Sequence, residues 1–263
     1  MNGPRCGTNC AKRALRKPGV FSLVAVTLLT LTISLPAFAA NLVINGSFET
    51  NGGNGQIGFN TTAANWSIPG GSGAGYTFIY APGTADTTGA NGIFGFLSLW
   101  GPGNGSNNGL PASSPDGGYF IAQDSAFRNA AIEQTINGLT PGASYTVGFW
   151  WGAAQQSGFF GSNSSQWQVS LGSQTQSTAL VTIPSQGFSG WMYQTFTYTA
   201  TNSSEVLSFF ANGSPQVPPF ALLDGVSLNA NNTTPEPETL TLMATGLAGV
   251  IGFARRYQLR KRR

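Results

Sequence analysis

The sequence predicts an all-β fold of the sandwich type for the central part of the chain, and three observations support this prediction. Glycine is unusually frequent, with 30 of the 36 glycines lying between residues 41 and 234. Short apolar and aromatic runs alternate there with clusters of Asn, Ser and Thr, as in strands joined by tight turns. No segment of that region has the periodicity of an amphipathic helix. About ten such strands around one core indicate a β-sandwich or jelly roll.

The individual strands are predicted from alternation and from the turn residues between them. In residues 193–199 aromatic and polar side chains alternate, so one face of that strand should be buried and the other solvated. Pro141 and Gly142 are placed to reverse the chain. The predicted strands are 42–45, 76–80, 93–100, 119–123, 131–136, 145–151, 167–171, 191–200, 206–211 and 220–228. The segments 51–56 and 101–108, rich in Gly and Asn, are predicted loops.

Charge is concentrated at the two ends of the chain. Eleven of the 12 Lys and Arg residues lie in the first 17 or the last nine positions. Residues 41–234 contain one base, Arg128, and seven acids, which gives that region a net charge of −6. Because it has no basic surface to replace phosphate counterions, we expect no nucleic-acid partner.

The chain has no histidine, and both of its cysteines, Cys6 and Cys10, precede the first apolar run. The absence of histidine removes the usual general base, the Ser-His and Cys-His nucleophile pairs and the commonest metal-binding nitrogen. If a leader is removed, the remaining body has no thiol. We therefore expect neither zinc, haem nor copper, and no enzyme that depends on a thiol or an imidazole.

Residues 1–39 have the pattern of a secretory signal peptide. A basic segment ends at Lys17, an apolar run follows over 20–35, and Ala37 and Ala39 occupy the −3 and −1 positions of a cut after residue 39. An uncleaved anchor helix is the alternative, which the short apolar run makes less favourable. The predicted domains are the signal peptide at 1–39, a β-sandwich at 40–230 and a C-terminal tail at 231–263.

The tail has three parts: a Pro-Glu-Pro segment at 235–237, an apolar stretch at 240–254 and a basic end. As a helix the apolar stretch is about 22 Å long, against roughly 30 Å of hydrocarbon, so it predicts a short transmembrane helix. Basic residues at both ends favour a cytoplasmic location for both termini. The body between them should therefore be exported.

This three-part tail resembles the PEP-CTERM sorting domain of Gram-negative bacteria. Pro235, Glu236, Pro237, Arg255 and Arg256 match positions of that pattern, although residues 257–259 interrupt the basic run. The resemblance implies processing by an exosortase, a membrane-embedded enzyme often found beside exopolysaccharide genes. It also implies a precursor anchored in the inner membrane, then release to the periplasm, cell surface or extracellular matrix. A generic tail anchor is the alternative.

The body resembles the galactose-binding-like jelly rolls, which include many carbohydrate-binding modules. The segments that carry the resemblance are 41–49, 116–119, 132–136, 138–145 and 223–228. It implies a structural calcium ion held by Glu49 and Asp224, since calcium takes hard oxygen ligands. The alternative is that Glu49 accepts hydrogen bonds from backbone amides and Asp224 caps a turn. Gly225 replaces the family's usual Asn or Asp, so one ligand is missing.

Four tryptophans are candidates for stacking on a sugar ring: Trp66, Trp100, Trp150 and Trp151. Flat C–H faces of sugars pack on exposed aromatic rings, while polar side chains bind the hydroxyls. Trp150 and Trp151 are adjacent in a strand, so one should be buried and the other is the better candidate.

These observations favour an exported, non-catalytic protein that binds carbohydrate, with exopolysaccharide as the expected partner. The alternative is a structural matrix or adhesion protein without specific sugar binding. A secreted glycan hydrolase comes third, with Asp116, Asp124 and Glu133 as the available carboxylates. Arg128 could pair with Asp124 or with a sugar carboxylate.

Overall fold

The computed structural model describes residues 40–128 and 130–231, together with 246–247, 249–250 and 256–257. The predicted cleavage residues Ala37 and Ala39 lie outside the described residues, as do Pro235, Glu236, Pro237 and Arg255. The three short described segments of the tail, which include Arg256, are helical and exposed. In the part of the chain that is described, no helix has the length and apolar character needed to cross a membrane.

Residues 40–128 and 130–231 form thirteen strands and very little helix, which confirms the all-β prediction. The strands are β1 (Gly55–Gln56), β2 (Thr77–Tyr80), β3 (Ala90–Gly92), β4 (Gly95–Leu97), β5 (Phe120–Asp124), β6 (Ile132–Asn137), β7 (Ser144–Gln155), β8 (Asn163–Leu171), β9 (Gln174–Ser177), β10 (Val181–Ile183), β11 (Met192–Thr199), β12 (Ser204–Ser214) and β13 (Pro219–Ala230). Two 3-10 turns, Gly71–Gly73 and Pro102–Asn104, interrupt the loops.

Within these residues the strands form two main antiparallel sheets, as in a jelly-roll sandwich. The six-stranded sheet has the order β1-β2-β5-β13-β7-β11, and the five-stranded sheet comprises β10-β8-β12-β6 with β9 paired to β8. Strands β3 and β4 form a separate hairpin. The long central strands β7 and β13 pair with each other and so form the middle of the six-stranded sheet.

The main core lies between the two sheets and is built by alternate residues of each strand. Phe149 and Trp151 of β7 belong to the same cluster as Val169 of β8 and Phe209 of β12. The rings of Phe149 and Phe209 meet edge to face, with centroids 5.1 Å apart. Alternation thus places the apolar half of each long strand inside the sandwich.

A second core covers part of the outer face of the six-stranded sheet. Phe78, Phe120 and Leu222, which alternate with residues of the main core, cluster with Leu97 and Leu99 from the hairpin and the segment after it. The hairpin therefore shields the β2, β5 and β13 side of this face. The side formed by β7 and β11 keeps exposed side chains.

One predicted strand is absent and another is shorter than predicted. Residues 42–45 form no strand, although Leu42 N donates to Leu228 O (2.9 Å) and places this segment beside β13. The left-handed backbone of Asn45 (φ 55°) and Phe48 (φ 54°) ends any extended pairing there. Of residues 93–100 only Gly95–Leu97 is strand, because the hairpin turn occupies 93–94.

Four short strands, β1, β3, β9 and β10, have no counterpart among the predicted ones. Strand β9 shows the reason, since its sequence Gln-Thr-Gln-Ser has no apolar residue that could mark a buried face. It is a strand because β8 pairs with it across a tight turn at Gly172. Pattern reasoning requires a buried face and therefore misses strands of this kind.

Candidate functional site

The open side of the six-stranded sheet carries two neighbouring aromatic rings, Trp150 of β7 and Tyr193 of β11. They are cross-strand partners, and their ring centroids lie 5.1 Å apart at an interplanar angle of 59°. Tyr193 is 54% exposed, whereas Trp150 is half-buried. We call this pair the aromatic platform.

Two glycines allow the rings of the platform to lie close to the sheet. A Cβ on Gly148 would come within 2.3 Å of the Tyr193 hydroxyl oxygen, so the phenol occupies the space above this glycine. Gly225 has a left-handed backbone (φ 57°) at the irregularity in β13, and its Cβ would lie 3.1 Å from Trp150 Cδ1. The platform thus depends on residues without side chains beneath it.

Polar groups border the platform. Asp116 is exposed, and its Cγ lies 3.0 Å from the position of a Cβ on Gly225. The Ser114 hydroxyl accepts a hydrogen bond from Asp116 N (3.0 Å) and so fixes the loop that carries this carboxylate. Ser227 lies beside Gly148, and Thr195 is exposed on β11. Rings bordered by a carboxylate and hydroxyls can contact both the C–H face and the hydroxyls of a sugar.

Asp224, the β13 partner of Trp150, is completely buried. Its Oδ1 accepts a hydrogen bond from Gly225 N (2.8 Å), and its Oδ2 accepts one from the Ser114 hydroxyl. Burial raises the pKa of its carboxyl to about 8; these two hydrogen bonds oppose the rise, and repulsion from Asp116 and Glu49 adds to it. Because protonation removes the charge, a neutral Asp224 can lie beneath the platform.

The predicted calcium ligands are therefore close enough to repel each other, but each already has protein partners. Glu49 Oε1 accepts a hydrogen bond from Tyr119 N (2.7 Å). Among the residues that the structure describes, no three acidic, histidine or cysteine side chains converge as metal ligands. Both carboxylates therefore make the hydrogen bonds of the alternative interpretation. Calcium stays a prediction.

Two of the four candidate tryptophans are core residues, so their assignment to a sugar surface is wrong. Trp66 is 6% exposed and Trp151 is 2% exposed, and neither ring can stack on a ligand. Trp66 Nε1 donates to Asn45 O (2.9 Å). The opposite orientations of Trp150 and Trp151 follow the prediction. Trp100 is half-buried and bonds through Nε1 to Phe159 O (2.8 Å), next to the exposed ring of Phe160.

The carboxylates weighed for hydrolysis lie on separate elements. Asp124 ends β5 in a buried position, where Oδ1 accepts hydrogen bonds from Ala126 N (2.8 Å) and Phe127 N (2.9 Å). Burial, opposed by these two bonds, raises its pKa to about 6. Glu133 lies on β6 of the five-stranded sheet, and Asp116 lies in the loop before β5.

The sequence does not single out Tyr193, because the alternation over residues 193–199 places it among the aromatic residues of one strand. In fact Phe196 and Tyr198 are buried, whereas Tyr193 lies on the face of Thr195 and Thr197. The spacing contains the signal: residues 193 and 196 are three apart, so their side chains point to opposite faces.

Comparison with solved structures finds carbohydrate-binding modules among the similar folds. TmCBM61 in complex with β-1,4-galactotriose is 14% identical, with 73% of this chain and 100% of that chain covered and a TM-score of 0.36. The CBM22-1 xylan-binding domain of Paenibacillus barcinonensis Xyn10C is 11% identical (75% and 98% covered, TM-score 0.37). Arabinose-bound MgGH51 α-L-arabinofuranosidase is 13% identical (76% and 28% covered, TM-score 0.40).

Comparison with proteins of curated function finds no match. The C-terminal residues 233–256 match the model of the PEP-CTERM protein-sorting motif. This match confirms the resemblance of the tail to that signal, and it implies export and exosortase-dependent processing. The chain thus joins an all-β sandwich to a C-terminal PEP-CTERM protein-sorting motif.

Proposed function

We propose that the exported body binds a glycan on the aromatic platform without catalysing its turnover. The observation that carries the proposal is the Trp150–Tyr193 pair on the uncovered part of the sheet, with glycines beneath it and Asp116 beside it. Aromatic rings are stabilised by burial, so a pair left accessible beside polar groups favours a ligand surface. In this proposal the ligand is exopolysaccharide at the cell surface or in the extracellular matrix.

The burial of Asp224 argues against this carboxyl as the general acid of a glycosidase. A glycosidase needs one carboxyl group to protonate the leaving oxygen and a second carboxylate on the other side of the bond. Asp224 has the raised pKa of a general acid, but its exposure is 0%, so it cannot reach a glycosidic oxygen. The proposed role of Asp116 is to accept hydrogen bonds from sugar hydroxyls.

A glycan screen with platform variants tests this function. Loss of an aromatic contact costs about 0.5–1.5 kcal/mol beyond buried area, so Trp150→Ala and Tyr193→Ala should each raise Kd about tenfold once lost area is included. Gly148→Ala should also weaken binding, because its Cβ displaces the Tyr193 ring while both rings remain. Leu180→Ala, at an exposed apolar residue beside β10 of the other sheet, is the control and should leave Kd unchanged.

The outcomes separate this function from its alternatives. Unchanged affinity in all three platform variants would refute the platform as the binding surface. A protein that coats cells or self-associates without binding any glycan would support the structural matrix role instead. Release of shortened glycan during the screen would place the protein among the hydrolases.

The sorting motif makes a separate prediction for the precursor in its native host. We propose an inner-membrane-anchored form that exosortase processing converts to a released or surface-attached one. Replacing Pro235, Glu236 and Pro237 with alanine should trap a longer, membrane-held form, which fractionation and immunoblotting would detect. An unchanged size and location would indicate a generic anchor.

A further inference from the structure

Arg128 is the single base of residues 41–234, and it lies at an exposed surface site after β5. Its Nη1 donates a hydrogen bond to Gly73 O (2.7 Å). Asp124, the predicted ionic partner, instead uses Oδ1 to accept the amides of Ala126 and Phe127. Within residues 40–128 and 130–231, the structure shows no ion pair to this guanidinium. Its charge is therefore available to an external anion.

Two exposed aromatic rings border the guanidinium. Arg128 Cζ lies 4.7 Å from the ring centroid of Phe94 and 5.5 Å from that of Phe127. Phe94 is 52% exposed and Phe127 is 41% exposed, so both rings and the cation are accessible together. The two rings contact each other at 5.6 Å, edge to face. We call these three residues the Arg128 site.

Buried neighbours hold the Arg128 site in place. Tyr76 is 6% exposed and lies 5.8 Å from each of the two phenylalanine rings. Its backbone N donates to Arg128 O (2.9 Å), which fixes a residue whose φ of 47° is rare for a side chain of this size. The fully buried Gln56 accepts a hydrogen bond from Ile93 N (2.8 Å) and so fixes the hairpin turn that carries Phe94.

The body carries a net charge of −6, yet its one cation is kept exposed and stacked on aromatic rings. A guanidinium held against a ring keeps in-plane N–H donors that match the two oxygens of a carboxylate. An adjacent exposed ring suits the C–H face of a pyranose. The hexuronic acids carry both a carboxylate and a pyranose C–H face in one residue.

We propose that the Arg128 site binds a hexuronate residue of an acidic glycan, with the carboxylate on Arg128 and the sugar ring against Phe94. This inference rests on the proposed glycan-binding function and names a ligand class for it. It also assigns a contact region distinct from the aromatic platform, since its residues come from the turn of the β3–β4 hairpin and the turn after β5. The net negative charge of the body repels an acidic glycan, so we expect the glycan to make contact only where this cation offsets that charge.

Calorimetry on the purified full chain tests the proposal with trigalacturonate and its methyl ester as probes. The two ligands share ring geometry, and the ester lacks the charge. At low salt the acid should bind at least tenfold more tightly than the ester. In Arg128→Gln the acid and the ester should bind equally well. Arg128→Lys keeps the charge but lacks the planar guanidinium, so it should retain part of the preference for the acid. Phe94→Leu should weaken both ligands.

Several results would overturn the proposal: equal affinity for acid and ester, an acid–ester ratio unchanged in Arg128→Gln, or no binding of the acid. A dimer that Arg128→Gln dissociates would assign this site to a second copy of the chain instead. Trp150→Ala keeps the Arg128 site intact and should leave the acid–ester ratio unchanged. Failure of the aromatic platform and failure of the Arg128 site are therefore separate outcomes.

Discussion

Replacing Trp167 with alanine is expected to lower the free energy of unfolding by about 3–5 kcal/mol. The indole is completely buried in the main core, and its ring meets Phe209 edge to face at 6.0 Å. Its Nε1 donates to Leu222 O (3.0 Å), a hydrogen bond from β8 to β13 that joins the two sheets. The substitution removes a large apolar volume and this connection together. Urea unfolding of the purified protein measures the loss.

Two further variants separate the contributions. Trp167→Phe keeps an aromatic ring but removes the N–H donor, so it should cost less than alanine while still destabilising the protein. Trp100→Ala deletes the same side chain from a half-buried position and should cost the least of the three. A Trp167→Ala protein as stable as Trp100→Ala would contradict the assignment of Trp167 to the centre of the sandwich.

The second large effect concerns pH. Asp224 has a folded-state pKa of about 8, raised chiefly by burial, whereas the carboxyl of an unfolded chain titrates near 3.9. Between these values the folded state holds a proton that the unfolded state releases. The contribution of this proton to the free energy of unfolding is therefore fully present below about pH 4, and it is lost as the pH rises toward 8. The expected slope is about 1.4 kcal/mol per pH unit.

Asp224→Asn is the matched variant, since it keeps the shape of the side chain and carries no charge at any pH. Its amide can still accept from Gly225 N and donate to the Ser114 hydroxyl. The variant should be as stable as the parent near pH 4 and progressively more stable toward pH 8. Asp124 titrates in both proteins, so the difference between their unfolding curves isolates Asp224. Parallel curves from pH 4 to pH 8 would contradict the raised pKa.

The predicted calcium ion can be tested at Glu49 and Asp224 through its effect on the melting temperature. If Glu49 and Asp224 bind the ion, millimolar calcium at pH 8 should raise the melting temperature, because a ligand specific for the folded state stabilises it. Glu49→Ala should remove that rise, and Asp86→Ala, at an acid that accepts a hydrogen bond from Gly103 N, should not. No response to calcium in the parent protein would refute the metal prediction.

Local pattern was sufficient for the strands that have a buried face. Strands β2, β5, β6, β7, β8, β11, β12 and β13 all lie where alternation predicts them, within a few residues. The opposite orientations of Trp150 and Trp151 also follow from the period of two along a strand. The segment 42–45 shows the limit, because an apolar run lies beside β13 without becoming a strand when left-handed residues follow it.

Composition and local order in the chain thus establish the all-β class, the charge distribution and the sorting tail, since each depends on residues that are neighbours in sequence. They do not establish which aromatic rings face solvent. Trp66 is buried because its ring packs on Phe48 and Phe209 in the main core. Tyr193 is exposed because the hairpin of β3 and β4 covers only the other half of the outer face. The meeting of Glu49, Asp116 and Asp224 likewise requires the first and last segments of the body to pair across about 180 residues. Burial and long-range contact are properties of the packed sheets, which no local pattern contains.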